Sequence, residues 1–108
     1  MVLFPCPYLK GEVELTGERQ GHIAARHPDL LPEYANLIAL TLADPDAVRR
    51  SSRLGSVRLF SRRFAEIKGG VYVVVVVMTD HGATPRHWIV TAYLARRLAA
   101  GENEWPRS

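Results

Sequence analysis

The sequence predicts an α+β fold with N-terminal helices packed on a small antiparallel β-sheet. Three observations carry that expectation. The run Val71-Tyr72-Val73-Val74-Val75-Val76-Val77-Met78 holds no charge and no breaker, and stiff β-branched side chains suit a pleated strand. Ahead of it, residues 17–43 show helical spacing, with a start signal at Thr16 and stop signals at Pro28 and Asp44-Pro45. Stretches 57–64 and 87–94 flank the valine run across short connections, so the three form an antiparallel meander. Helices followed by strands are the element order of an α+β layer.

In chain order, residues 1–11 read as an irregular lead-in, with Pro5 and Pro7 close together. Glu12-Val13-Glu14-Leu15-Thr16 alternates polar and apolar, as a short edge strand does. Thr16 then caps a helix over Gly17–His27, which Pro28 ends. A second helix starts near Asp29–Pro32, with Pro32 in its first turn and Tyr34, Ile38 and Leu42 on one face. It stops before Asp44-Pro45-Asp46. Residues 46–55 are polar and basic and read as a loop or a short turn of helix.

On the strand over 57–64, Val57, Leu59, Ser61 and Arg63 point one way and Arg58, Phe60, Arg62 and Phe64 the other. The valine strand has no alternation, which marks a strand covered on both faces over much of its length. On the last strand, Trp88, Val90, Ala92 and Leu94 share a face and Ile89, Thr91 and Tyr93 the other. Ala95–Ala100 reads as a helical turn closed by Gly101. The chain is thus one domain over residues 12–105, with a tail at 106–108.

A chain of 108 residues, 47% hydrophobic and 23% charged, reads as one soluble globular domain. Its single cysteine, Cys6, excludes an internal disulfide and a Cys-rich zinc motif. A reducing, cytoplasmic setting fits. The apolar start Met1-Val-Leu-Phe-Pro lacks a basic n-region, so no signal peptide is expected, and no stretch is long enough for a membrane-spanning helix. The net charge of +3 hides a segregation. Residues 1–48 hold three basic and seven acidic side chains, whereas residues 49–68 hold seven basic side chains against Glu66 alone. Such a basic segment is either a footprint for a polyanion or a solvated face.

Chemistry-bearing residues fall in three groups. On the first helix, Arg19, His22 and Arg26 share a polar stripe, three and four residues apart, with His27 just beyond. Histidine exchanges protons near pH 7 and arginine holds phosphate; the alternative is a solvated helix face with a histidine near its C-terminal end. His22 and His27 are five apart, so one helical face does not aim both at a single ion, and no metal or other cofactor is expected. On the last strand, Thr91 and Tyr93 share a face and can donate to a phosphate oxygen, or they are a half-buried β-favouring pair. On the basic strand, Arg58 and Arg62 flank Phe60, which suits single-stranded nucleic acid or protects an edge strand. His87, beside Arg86, is a further substrate-binding candidate. No Gly-rich phosphate loop and no nucleophile elbow is present.

Taken together, Val13-Glu14-Leu15-Thr16, His22-Ile23, Arg26-His27-Pro28, Thr41-Leu42, Pro45-Asp46-Ala47-Val48, a basic strand, a valine strand and Trp88-Ile89-Val90-Thr91-Ala92-Tyr93-Leu94 resemble the phage-associated nuclease-like domains of the barnase/EndoU/colicin E5 and D/RelE superfamily (the BECR, or RelE-like, fold). The resemblance spans about residues 12–105. It implies metal-independent RNA cleavage, possible use as a toxin or phage effector, and a cognate inhibitor or antitoxin protein as partner beside RNA. Carried over, it makes His22 the general base or acid, places Arg26 and His27 at the scissile phosphate, gives Arg58 or Arg62 a phosphate, and has Thr91 and Tyr93 orient it. Arg19 and His87 are supporting contacts to substrate. Two rivals stand beside this reading. One is a non-catalytic module of the same fold that binds RNA or an acidic protein; the other is an enzyme acting on a small phosphorylated substrate. Pairing of two copies through a sheet edge is also open.

Overall fold

Val71–Asp80 is the middle strand of a seven-stranded sheet. The computed structural model describes residues 1–51, 56–98 and 101–105. In chain order these form β1 (Val2–Cys6), a 3-10 turn (Pro7–Leu9), β2 (Gly11–Leu15), α1 (Gly17–Arg26), α2 (Ala35–Ala43), β3 (Ala47–Arg50), β4 (Val57–Phe64), β5 (Val71–Asp80), β6 (Arg86–Ala95) and β7 (Glu102–Trp105). The order across the sheet is β1-β2-β6-β5-β4-β3-β7. The expected meander β4-β5-β6 is antiparallel throughout. The sheet as a whole is mixed, because β2 runs parallel to β6 through Val13↔His87 and Glu14↔Trp88.

The helices and the core lie on one face. Val73, Val75 and Val77 of β5 join Phe60, Phe64, Ile89, Ala92, Val13 and Leu15, and from above come Ile23, Leu37, Ile38 and Leu42. Burying each of the valine, leucine, isoleucine and phenylalanine side chains stabilises the fold by about 1.5–3 kcal/mol. Thr41, wholly buried in α2, spends its hydroxyl on the Leu37 carbonyl at 2.7 Å. The other face carries Tyr72, Val76 and Met78 of β5 with Leu59, Trp88, Thr91 and Tyr93. These side chains are half-buried, whereas Val74 and Ser61 on the same face are fully buried.

Several expectations are corrected. The lead-in is not irregular: Val2–Cys6 pairs with Gly11–Leu15 along its length. Pro5 is tolerated because β1 is an edge strand, where a missing N–H faces away from the ladder. Residues 47–50 are strand rather than loop, since Val48 is fully buried opposite Phe60. Residues 52–55, Ala99, Ala100 and the tail 106–108 lie outside the described residues. The chain does not form a helical turn at 95–98: Ala95 ends β6 and Arg96-Arg97 is a bend. Residues 102–105, to which the sequence reading assigned no element, form β7.

The second helix starts later than its spacing predicted. Residues 28–34 are hydrogen-bonded turns, with Leu30 and Leu31 donating to the His27 carbonyl and Tyr34 to that of Leu30. Pro28 and Pro32 have no N–H to give a helix there, and the turns drive Leu30 and Leu31 into the core. On β6, the register slips between Val76 and Val77, leaving Val90 as a bulge. The bulge resets the alternation. Trp88 therefore falls on the open face with Thr91 and Tyr93, while His87, Ile89, Ala92 and Leu94 face the core side.

The start of α1 follows the expected chemistry. The Thr16 hydroxyl accepts from the Arg19 N–H at 3.2 Å, and Glu18 sits in the first turn. Thr16→Ala is expected to cost about 1 kcal/mol, read as a lower urea midpoint with unchanged slope.

Candidate functional site

The structure divides the singled-out residues between two places. The first is the seam between α1 and β6. Beyond Trp88, β6 has no strand partner on its β2 side among the described residues, and α1 packs along it with Ile23 buried beneath. His27, immediately after the last turn of α1, lies against Tyr93, with ring centroids 5.9 Å apart and planes tilted by 40°. Thr91 shares the open face with Tyr93. Arg26 and His22 are exposed on α1, and Arg19 is half-buried at its start. Burial pushes the Tyr93 phenol up, so at neutral pH it remains an O–H donor. Ile23 anchors the helix, and the polar stripe is left facing solvent.

The second place lies at the other end of β4, on the core side. The Glu104 carboxylate accepts from Arg58 Nε at 2.7 Å, Arg50 Nε at 2.9 Å and the Tyr8 hydroxyl at 2.7 Å. The side chains of Arg58 and Glu104 are 17% and 15% exposed, so this ion pair is largely shielded. Tyr8 packs edge-on against Phe60, with centroids 5.8 Å apart. Its phenol is pushed up to about 12, by burial first and then by the bonded carboxylate. Burial alone would raise Glu104, but the hydrogen bonds from Tyr8, Arg58 and Arg50 outweigh it and hold the carboxyl below its ordinary value.

His87 is buried near this cluster, with Nδ1 2.8 Å from the Thr79 hydroxyl. Burial, then the charges of Arg58 and His81, lower its pKa. Both shifts have the same sign consequence. A group whose pKa is lower folded than unfolded stabilises the fold above its ordinary range, and that contribution is lost as pH falls through the folded value. Acid unfolding is therefore expected to shift to lower pH in wild type relative to Glu104→Gln, as read by far-ultraviolet circular dichroism.

The two arginines expected to work together do not meet. Arg62 shares a face with Arg58 but is committed to the C-terminal end of α2. Its guanidinium donates to the Leu40 and Asp44 carbonyls at 3.4 and 3.3 Å and lies 5.4 Å over Phe64. A cation there satisfies helix-end carbonyls. Arg86 is likewise occupied, donating twice to Glu14 at 2.8 and 2.9 Å and stacking on Trp88. Sequence reasoning missed Tyr8, Thr79 and Glu104, and saw Arg50 only as part of the basic segment over 49–68. Tyr8 lay in the segment read as an irregular lead-in, and Glu104 in residues 102–105, to which the sequence reading assigned no element.

Among the described residues, no three metal-capable side chains converge, and no helix is long and apolar enough to cross a membrane. No family model, curated protein or solved structure matches the chain.

Proposed function

We propose that the chain is a metal-independent endoribonuclease domain of the BECR, RelE-like type, with its site at the α1–β6 seam. The observation that carries this reading is the contact between His27 and Tyr93. These residues stand on different elements, were singled out separately, and meet ring to ring. In the proposed reaction one of His22 and His27 takes the proton of the ribose 2′-hydroxyl, whose oxygen attacks the adjacent phosphorus. The other gives a proton to the leaving 5′-oxygen, and a 2′,3′-cyclic phosphate remains. Arg26 and Arg19 offset the negative charge that builds on the phosphate, and the Thr91 and Tyr93 hydroxyls hold its oxygens. RNA is the proposed partner. Trp88, Tyr72 and Tyr93, half-buried on the sheet face opposite the main core, support it, because aromatic rings there can stack on splayed bases.

The same face supports a second reading, RNA binding without cleavage. One experiment separates them: total RNA incubated with the protein in excess EDTA, beside His22→Ala and His27→Ala, followed by end-group analysis. Cleavage to cyclic phosphate that both substitutions abolish is the expected result. Salt-sensitive binding with no cleavage, unchanged in the variants, would move the assignment to the binding module.

A further inference from the structure

The Glu104 cluster contains a carboxylate where an anionic ligand would fit. Three donors from three separate elements, Tyr8 after β1, Arg50 at the end of β3 and Arg58 on β4, converge on its two oxygens. Two guanidiniums and a phenol held firmly protonated make up the arrangement that proteins use for a phosphate. One carboxylate neutralises only one of the two cations.

The way Glu104 arrives is also informative. In the pairing of β3 with β7, Val48 stands opposite Trp105 and Arg49 opposite residue 103, with a register shift between them. Glu104 is the residue left out of the ladder. A bulge of this kind re-aims a side chain at the expense of pairing. The element that carries it is short, four residues with β3 as its strand neighbour. A cavity of about 300 Å³ lined by Pro7, Tyr8, Ala43, Asp44, Pro45 and Trp105 borders this element, and Tyr8 is the one of the three donors that reaches it.

We propose that Tyr8, Arg50 and Arg58 form a binding site for a phosphate-class oxyanion, and that Glu104 on β7 fills this site in the free protein as a built-in competitor. An incoming phosphate displaces the carboxylate, and β7 lifts from β3. The site goes beyond the ribonuclease reading. It uses none of the seam residues, and its test needs no cleavage.

The test is titration of the full chain with inorganic phosphate at fixed ionic strength, by calorimetry. Wild type is compared with Glu104→Gln and with Glu104→Gln carrying Arg58→Met. Glu104→Gln is expected to bind phosphate about tenfold tighter than wild type, the scale of one charge-assisted hydrogen bond. The double variant is expected to lose that gain. Equal affinities for wild type and Glu104→Gln, or a gain that survives removal of Arg58, would overturn the proposal. If Glu104→Gln folds poorly, wild type alone decides. Phosphate is expected to speed amide exchange in β7, and unchanged exchange across the titration would overturn it. Repeating the titration with a short oligonucleotide lacking terminal phosphates identifies the source. A matching gain assigns the site to backbone phosphodiesters, and a gain with inorganic phosphate alone assigns it to a free anion or monoester.

Discussion

His27→Ala is expected to lower RNA cleavage by about 10²- to 10⁴-fold, the usual contribution of a positioned proton-transfer group, with RNA affinity changed little. The split matters, because the ring contact with Tyr93 gives His27 a packing role as well. Loss of packing alone would show as a lower thermal midpoint with kcat intact in the cold. Loss of a proton-transfer group shows in kcat at full folding. Tyr93→Phe sharpens the comparison. It keeps the ring beside His27 and removes only the phenolic donor, so its expected effect is a smaller fall in kcat, about tenfold. Full activity in His27→Ala would remove the seam as the site of chemistry.

The largest stability effect is expected at Phe60. Its side chain is fully buried, it stands opposite Val48 on one side and Val75 on the other, and Tyr8 meets it edge-on. Phe60→Ala is expected to cost about 3–5 kcal/mol through the lost contacts and the cavity left behind. The edge-on ring pair adds about 0.5–1.5 kcal/mol beyond its area. Chemical denaturation measures the total. A second readout tests the geometry: without Phe60 to brace it, the Tyr8 ring loosens from Glu104, so in spectrophotometric titration its phenol falls from about 12 toward the ordinary tyrosine value. A Tyr8 titration that stays put would mean that Glu104 and the arginines alone fix that ring.

The regular elements at the centre of the fold were legible in the sequence. Eight uncharged, mostly β-branched residues compel a buried strand, and β5 is the middle of the sheet. Thr16 and Pro28 bracket a helix because one supplies a cap and the other withholds a donor. What sequence could not supply was anything set by partners. A four-residue strand such as β3 or β7 has too few positions to show a period, so only its neighbours reveal it. The Val90 bulge moves Trp88 to the other face, and no local pattern announces an extra residue in a ladder. Arg58 and Arg62 have the same spacing as any strand pair, yet one meets Glu104 and the other the end of α2. Their separate fates come from residues 18 to 46 positions away.

The parallel pairing of β2 with β6 joins residues 13–14 to residues 87–88. The N-terminal hairpin and α1 therefore have no strand to dock on until β6 exists. The hairpins β4-β5 and β5-β6 close short loops and can form early, whereas the β2–β6 seam closes a loop of some seventy residues and must come late. During synthesis α2 is the partner the first hairpin can meet before β6 is made. The same late step that completes the sheet also brings α1 to β6, so a chain interrupted before β6 has neither a finished fold nor a seam.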